Sequence, residues 1–354
     1  MKLYKKQQNL STHTLHLDGF LWLLYNETTK KSYKGEMTVY YLGVDLGGTN
    51  IACGVVNRQG DILGRASVKT GLPATGEEIA ARIADCCKMA ARQAKCDMAE
   101  VSSVGIGTPG IANSGTGEVE YSCNLGFRNT PLADLVSQQL EKPVYLENDA
   151  NAAALGEFTA GCGRGSHSLI AITLGTGVGG GVVMNDKLLT GFNFAGAEIG
   201  HFVMVHNGEP CSCGRKGCFE AYCSATALIR QTRRAMEQHP ESKMWEIAPT
   251  PEQVDGKTAF DAMELDDPVA KQVVEQYCAY LACGLTSIVN IFQPEVLCVG
   301  GGICNQGETL LKPVREIFDR EDYARDCKRR TRIVRAELGN DAGMIGAALL
   351  PLYR

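Results

Sequence analysis

No apolar run in the 354-residue chain approaches the roughly 20 residues that a membrane-spanning helix requires. The longest N-terminal candidate, residues 20–25, is far too short, and no small-residue cleavage site follows it as a secretory signal would demand. Basic charge is not in excess either: 35 Lys and Arg face 40 Asp and Glu, for a net charge of -5. Nucleic-acid binding needs a basic surface to offset phosphates, and this balance supplies none. The chain also lacks a Gly-x-x-x-x-Gly-Lys-Ser/Thr loop and a Gly-x-Gly-x-x-Gly turn opening a helix. A P-loop nucleotidase and a Rossmann dehydrogenase are thereby excluded.

What is present describes a folded cytoplasmic protein. Hydrophobic residues make up 44% and charged residues 21%, the composition of a globular chain. Its length predicts two domains. Fifteen cysteines in a long chain without a leader read as buried free thiols in a reducing compartment, with Cys86, Cys87, Cys278, Cys283 and Cys298 inside apolar runs. The cysteines around Cys211 form a different pattern.

Residues 1–36 are polar and basic, and they read as a disordered extension or a mis-assigned start, since the regular pattern begins at Met37. From Val39 two β-rich runs flank a glycine turn, which predicts a hairpin. Residues 61–70 read as a further strand. Residues 77–95 read as a helix with Ile79, Ile83, Cys86, Cys87 and Ala90 on one side. VSSVGIGTPG (101–110) reads as a buried strand entering a Pro-Gly turn, and KPVYLEND (142–149) as a strand followed by a helix from Asn151. Residues 42–57 align without gaps on residues 170–185, so an α/β unit is read as duplicated, with a cleft between the copies. The expected division is residues 37–148, residues 149–340, and a terminal helix, 341–354, that packs back on the first domain.

Glycine-rich turns end three strands: Asp45 to Asn50, Gly175 to Gly181, and Gly300 to Gly302. In the first two, backbone N–H groups without intervening Cβ atoms suit phosphate, and the third could lie against a nucleotide base or ribose. Thr49 adds a hydroxyl, and Asp45 could hold hydrated Mg²⁺. Phosphoryl transfer also needs a group that accepts the nucleophile's proton. Asp149 sits where a strand gives way to a helix, and the helix dipole is expected to keep it ionised. Asn148 or Asp149 could equally cap that helix. Glu147, on the opposite strand face, is the rival carboxylate. Cys211, Cys213 and Cys218, with His201 upstream, match a closed tetrahedral zinc set, which is structural rather than catalytic. His206 and Cys223 are the rival ligands.

GVDLGGTN, GIGTPG, ENDANAAALGE, LGTGVGGG, AGAEIGH, CSCGRKGCFE and GGGI occur together and in order. This set resembles the ROK family (repressor, open reading frame, kinase), and within it the bacterial glucokinases, over about residues 38–350. The resemblance implies a two-domain, actin-like (ribonuclease H-like) α/β ATPase fold with duplicated units and a zinc loop. It implies ATP-dependent phosphorylation of a hexose 6-hydroxyl, that of glucose, with Asp149 as general base. N-acetylmannosamine, fructose, allose or mannose would be alternative acceptors. Gly110, Asn124, Asn148, Glu198, His201 and Glu220 match sugar-binding positions. Asp45, Gly47, Gly48, Thr49, Asn50, Thr176, Gly177 and Gly301 match nucleotide-binding ones, and His201, Cys211, Cys213 and Cys218 match the zinc ligands. A homodimer or homotetramer is implied. Repressors of the family carry a winged helix before the core, and residues 1–36 show no helix-turn-helix pattern.

Overall fold

The computed structural model describes residues 39–353, so the expected N-terminal extension lies outside the described residues. The first sheet is built from β1 (Tyr40–Leu46), β2 (Asn50–Val56), β3 (Ile62–Lys69), β4 (Val101–Thr108) and β8 (Val144–Asn148). Its order is β3-β2-β1-β4-β8, with β1 antiparallel to β2 and parallel to β4. The second sheet holds β9 (Ser168–Leu174), β10 (Val178–Met184), β11 (Lys187–Leu188), β12 (Val296–Gly300) and β13 (Arg332–Arg335). Its order is β11-β10-β9-β12-β13, and β9 is again antiparallel to its hairpin partner and parallel to β12.

The duplication read from sequence is therefore structural. Adding 128 to 40, 46, 50 and 56, the ends of β1 and β2, gives 168, 174, 178 and 184, the ends of β9 and β10. A third sheet of β5 (Ile111–Asn113), β6 (Glu118–Ser122) and β7 (Phe127–Thr130) follows β4. The sequence reading passed over it.

Helix α1 (Gly76–Ala94) begins at a Thr75–Glu78 capping box and buries Ile79, Ile83, Cys86, Cys87 and Ala90, the face expected. It packs into one core with β1, β2, β4 and α2 (Leu132–Leu140). The second sheet shares a separate core with α4 (Glu220–Cys223), α5 (Ala225–Gln238), α6 (Met244–Ile247), α7 (Thr258–Glu264), α8 (Pro268–Phe292) and α9 (Glu308–Glu321). Burial of each large aliphatic or aromatic side chain in these cores stabilises the fold by roughly 1.5–3 kcal/mol.

Two helices cross between the sheets. α3 (Asp149–Thr159) leaves β8 of the first sheet, yet its Ala154, Leu155 and Phe158 pack against Leu169, Val183 and Val296 of the second. α10 (Ala342–Leu349) follows β13, yet its Ile345, Ala348 and Leu349 pack on Tyr41 and Val56 of the first. The two helices touch at backbone distance: a Cβ on Gly346 would sit 1.7 Å from the Ala152 carbonyl oxygen. α3 starts at Asp149, two residues before the Asn151 expected, because Asn148 caps it. All fifteen cysteines are free, and Cys86, Cys87, Cys278 and Cys298 are buried as read. Cys283 is exposed instead. Its helix turns that position outward, between buried Ala282 and Gly284. Among the described residues no helix is long and apolar enough to cross a membrane.

Candidate active site

A cavity of about 950 Å³ opens where the carboxyl ends of β1, β9 and β12 meet the start of α10. Open α/β sheets characteristically receive ligands outside their strand carboxyl ends. Its wall contains Asp45, Asn124, Asp149, Gly177, Glu198, Glu220 and Gly301, which the sequence scatters over more than half of the chain. One side is α3 itself, through Asp149, Ala150, Ala153 and Glu157. A second cavity, of about 420 Å³, lies beside Glu209, Arg230 and Arg234 and contains no expected site residue.

The question of cap against base resolves into two residues. Asn148 Oδ1 accepts from the N–H groups of Ala150 and Asn151 at 2.9 and 3.2 Å, and its Nδ2 donates to the Gly110 carbonyl at 3.1 Å. That leaves Asp149, whose Oδ1 accepts the Ala150 N–H at 2.8 Å. Its carboxyl meets the open space of the cavity but is walled closely by protein. Desolvation, with the charges of Asp45 and Glu198, raises its pKa to about 6 against the backbone N–H bonds that lower it. Burial thus outweighs the helix-terminus effect expected to keep the group ionised, yet a carboxyl of pKa about 6 is still mostly ionised at pH 7. Burial likewise raises the Asp45 carboxyl above the usual carboxylate range. Among the described residues no cation forms an ion pair with Asp45, Asp149 or Glu198. Glu147, the rival, is buried, and its Oε1 accepts from Asn148 N and Asn151 Nδ2, both at 3.0 Å.

The glycine turns offer fewer donors than their composition suggested. The Gly47 N–H bonds the Asn50 carbonyl at 2.9 Å, and the Gly175 N–H bonds the Gly177 carbonyl at 3.0 Å. Gly48, Thr49 and Asn50 are exposed, as is Thr176. The cavity wall leaves out residues 47–50, Thr176, Gly110, Asn148 and His201. Gly177 does line it, and a Cβ there would lie 2.4 Å from Glu220 Oε2. The missing side chain is what lets Glu220 reach the Val178 N–H at 3.0 Å.

Glu220 also ties this turn to the cysteine loop. Its Oε1 accepts the Ser212 hydroxyl at 2.6 Å and lies 3.4 Å from Cys211 Sγ. The ligand atoms of His201, Cys211, Cys213 and Cys218 all lie within 4.8 Å of one another. His201 Nδ1 is 3.6 Å from Cys211 Sγ, and Cys213 Sγ is 3.7 Å from Cys218 Sγ. Three thiols and an imidazole converging on one point suit zinc by softness and number. The rivals are elsewhere: His206 Nε2 faces Asn207, and Cys223 is buried in the second core.

The profile of the ROK family matches residues 41–353. The chain belongs to the ROK family. It is 40% identical over 309 residues to a glucokinase of Thermotoga maritima, covering 87% of this chain and 95% of that one. Among solved structures, a ROK glucokinase of Streptomyces griseus in complex with glucose and AMPPNP shares 37% identity at a TM-score of 0.72, over 88% of this chain and 98% of that one. A ROK hexokinase of Thermus thermophilus gives a TM-score of 0.75 at 34% identity, over 88% and 97%. The two mixed sheets described above are the α/β architecture of ROK sugar kinases, which is the actin-like ATPase fold.

Sequence reasoning missed part of the ROK cleft. Arg335, Asn305, Gly339, Asn340, Ala342 and Gly343 line it, and so does Glu157, which accepts from the N–H groups of Cys162, Glu337 and Leu338 at 3.2, 3.1 and 2.7 Å. Glu157 stood inside a quoted motif, and a carboxylate on the Ala-rich helix face was the available signal. Nothing local marked the others.

Proposed function

We propose that this chain transfers the γ-phosphoryl group of ATP to the 6-hydroxyl of a hexose, with glucose the preferred acceptor. The observation that carries the reading is Asp149, a carboxylate without an ion pair among the described residues, freed from capping by Asn148 and facing a cavity between glycine turns and further carboxylates. A pKa of about 6 suits a general base, because it is ionised at neutral pH yet basic enough to accept a proton. As O6 forms its bond to the γ-phosphorus, its proton passes to the Asp149 carboxylate. The bond from that phosphorus to the β–γ bridging oxygen breaks, and its electrons leave with ADP. Asn124, Glu198 and Glu220, with Asn148, His201 and the Gly110 backbone, orient the sugar. Asp45, Gly177 and Gly301, with Gly47, Gly48, Thr49, Asn50 and Thr176, serve the nucleotide.

Two metals belong to this reading. Mg²⁺ would neutralise the donor's phosphates, and Asp45 is the side chain suited to its hydration shell. Zinc would be held by His201, Cys211, Cys213 and Cys218 and would supply a fixed cross-link. His201 turns Nδ1 toward the thiols, which leaves Nε2–H to donate to a sugar hydroxyl. The two sheets would be the cores of two lobes that close on the substrates, with residues 341–354 returning to the first lobe. Cytoplasmic residence and a homodimer or homotetramer accompany the proposal.

The test is turnover by purified, zinc-replete protein with ATP and Mg²⁺ across glucose, mannose, fructose, allose and N-acetylmannosamine. The expected result is the highest kcat/KM for glucose, with glucose 6-phosphate as product. ADP release unaffected by every sugar would contradict it.

A further inference from the structure

The cavity wall holds five carboxylates, Asp45, Asp149, Glu157, Glu198 and Glu220, and among its described residues a single Lys or Arg, Arg335. A nucleoside triphosphate entering so acidic a cleft meets one permanent cation among those residues, and the position of that cation can be read from α3. Asp149, Ala153 and Glu157 all line the cavity, and at 1.5 Å of rise per residue the wall from Asp149 to Glu157 runs about 12 Å. Glu157, at the far end, grips the N–H groups of Glu337 and Leu338. The segment that begins at Arg335 is thereby anchored at the end of the cleft remote from the proposed base.

Arg335 is also fixed locally. It is the last residue of β13 and pairs with Val299, one residue before the Gly300 to Gly302 turn. The Ala336 N–H bonds the Val299 carbonyl at 2.9 Å, so turn and arginine share one strand edge. Asn305 Oδ1 accepts from Arg335 Nη2 at 2.9 Å. An in-plane bond of this kind holds a guanidinium by its edge and leaves its flat faces open, the arrangement in which arginine stacks on an aromatic ring.

We propose that Arg335, oriented by Asn305, binds the nucleoside end of the phosphate donor by stacking its guanidinium on the base. The inference rests on the kinase reading: a γ-phosphate placed at Asp149 sends the rest of the nucleotide along α3 toward Glu157 and Arg335. Arg335 is thus a donor-specificity residue, and it plays no part in holding the sugar.

Arg335 is exposed, so substitution should leave the fold intact, which the thermal midpoint checks. In Arg335→Ala the ATP KM and the ADP Kd should each rise about tenfold, the scale of a lost desolvated cation–π contact. The glucose KM and the inhibition constant of inorganic tripolyphosphate should stay unchanged. Arg335→Lys, which keeps charge but not the plane, should remain weakened, and Asn305→Ala should fall between wild type and Arg335→Ala. Unchanged ADP affinity in Arg335→Ala, or full recovery in Arg335→Lys, would overturn the assignment. Equal weakening of tripolyphosphate would also overturn it, by placing the arginine on the phosphates. ADP binding by calorimetry reads the inference without turnover. A wild-type protein that binds ADP but phosphorylates no sugar would therefore defeat the kinase reading separately.

Discussion

Asp149 is subject to two opposing influences at one atom pair. The start of α3 offers it backbone N–H groups, which favour the charge, while the cavity walls and the charges of Asp45 and Glu198 disfavour it. Desolvation wins, and the pKa reaches about 6. A base must be ionised to act, so log kcat/KM for the sugar should fall with unit slope below about pH 6 and level off above it. The same shift sets a stability prediction. A carboxyl whose folded pKa exceeds its unfolded value weakens the fold wherever it is ionised, above about pH 6, and that cost disappears as pH falls toward 4. Asp149→Asn should therefore raise the thermal midpoint at pH 8 and lose the advantage near pH 4. Calorimetry at both values checks it, and an advantage that grew on acidification would contradict the cause given. The position of this residue was legible in ENDANAAALGE. Its raised pKa was not, because a dipole is a property of the helix alone, whereas the burial and the like charges of Asp45 and Glu198 that oppose it come from segments remote in sequence.

The cysteine loop and the α3–α10 crossing are the two elements that hold the cleft's shape. Ser212 and Cys211 contact Glu220 Oε1 while Val178 N–H holds Oε2, so order in the loop is transmitted to the glycine turn beside it. Cys211→Ser should abolish stoichiometric zinc by metal analysis, lower the thermal midpoint, and raise the glucose KM more than the ATP KM. Retained zinc with unchanged stability would remove the metal assignment. At the crossing, Gly346→Ala must push a methyl group against the Ala152 carbonyl. It should destabilise by roughly 1–3 kcal/mol in denaturant unfolding, the usual cost of overpacking. The hairpins β1–β2 and β9–β10 were legible because glycine turns and a gapless repeat are local signals. The crossing helices were legible only as helices. Which sheet each one covers is fixed by Leu155, Phe158 and Ile345 finding apolar partners far away in sequence. The short β5–β6–β7 sheet escaped notice for a similar reason: its strands are three to five residues long, too short for alternation to register.

For the whole molecule, duplication sets the geometry. Two sheets of one topology, joined by exchanged helices, place the carboxyl ends of β1, β9 and β12 around a common space. Arg335, Gly339, Asn340, Ala342 and Gly343 complete that space from late in the chain, which is why no local pattern announced them. Ligands that bind there stabilise the folded state by mass action, and glucose at about 100 times its Kd should add ~2.7 kcal/mol to unfolding. A rise in thermal midpoint with glucose concentration, absent with a non-substrate sugar, checks this.

The most direct measurement compares glucose phosphorylation by zinc-replete wild-type protein and Asp149→Asn, with ATP and Mg²⁺, alongside glucose affinity by calorimetry. The account predicts turnover by the wild type, a loss of about 10²–10⁴-fold in kcat on substitution, and nearly equal glucose affinity in both proteins. Undiminished turnover in Asp149→Asn, or none in the wild type, would contradict it.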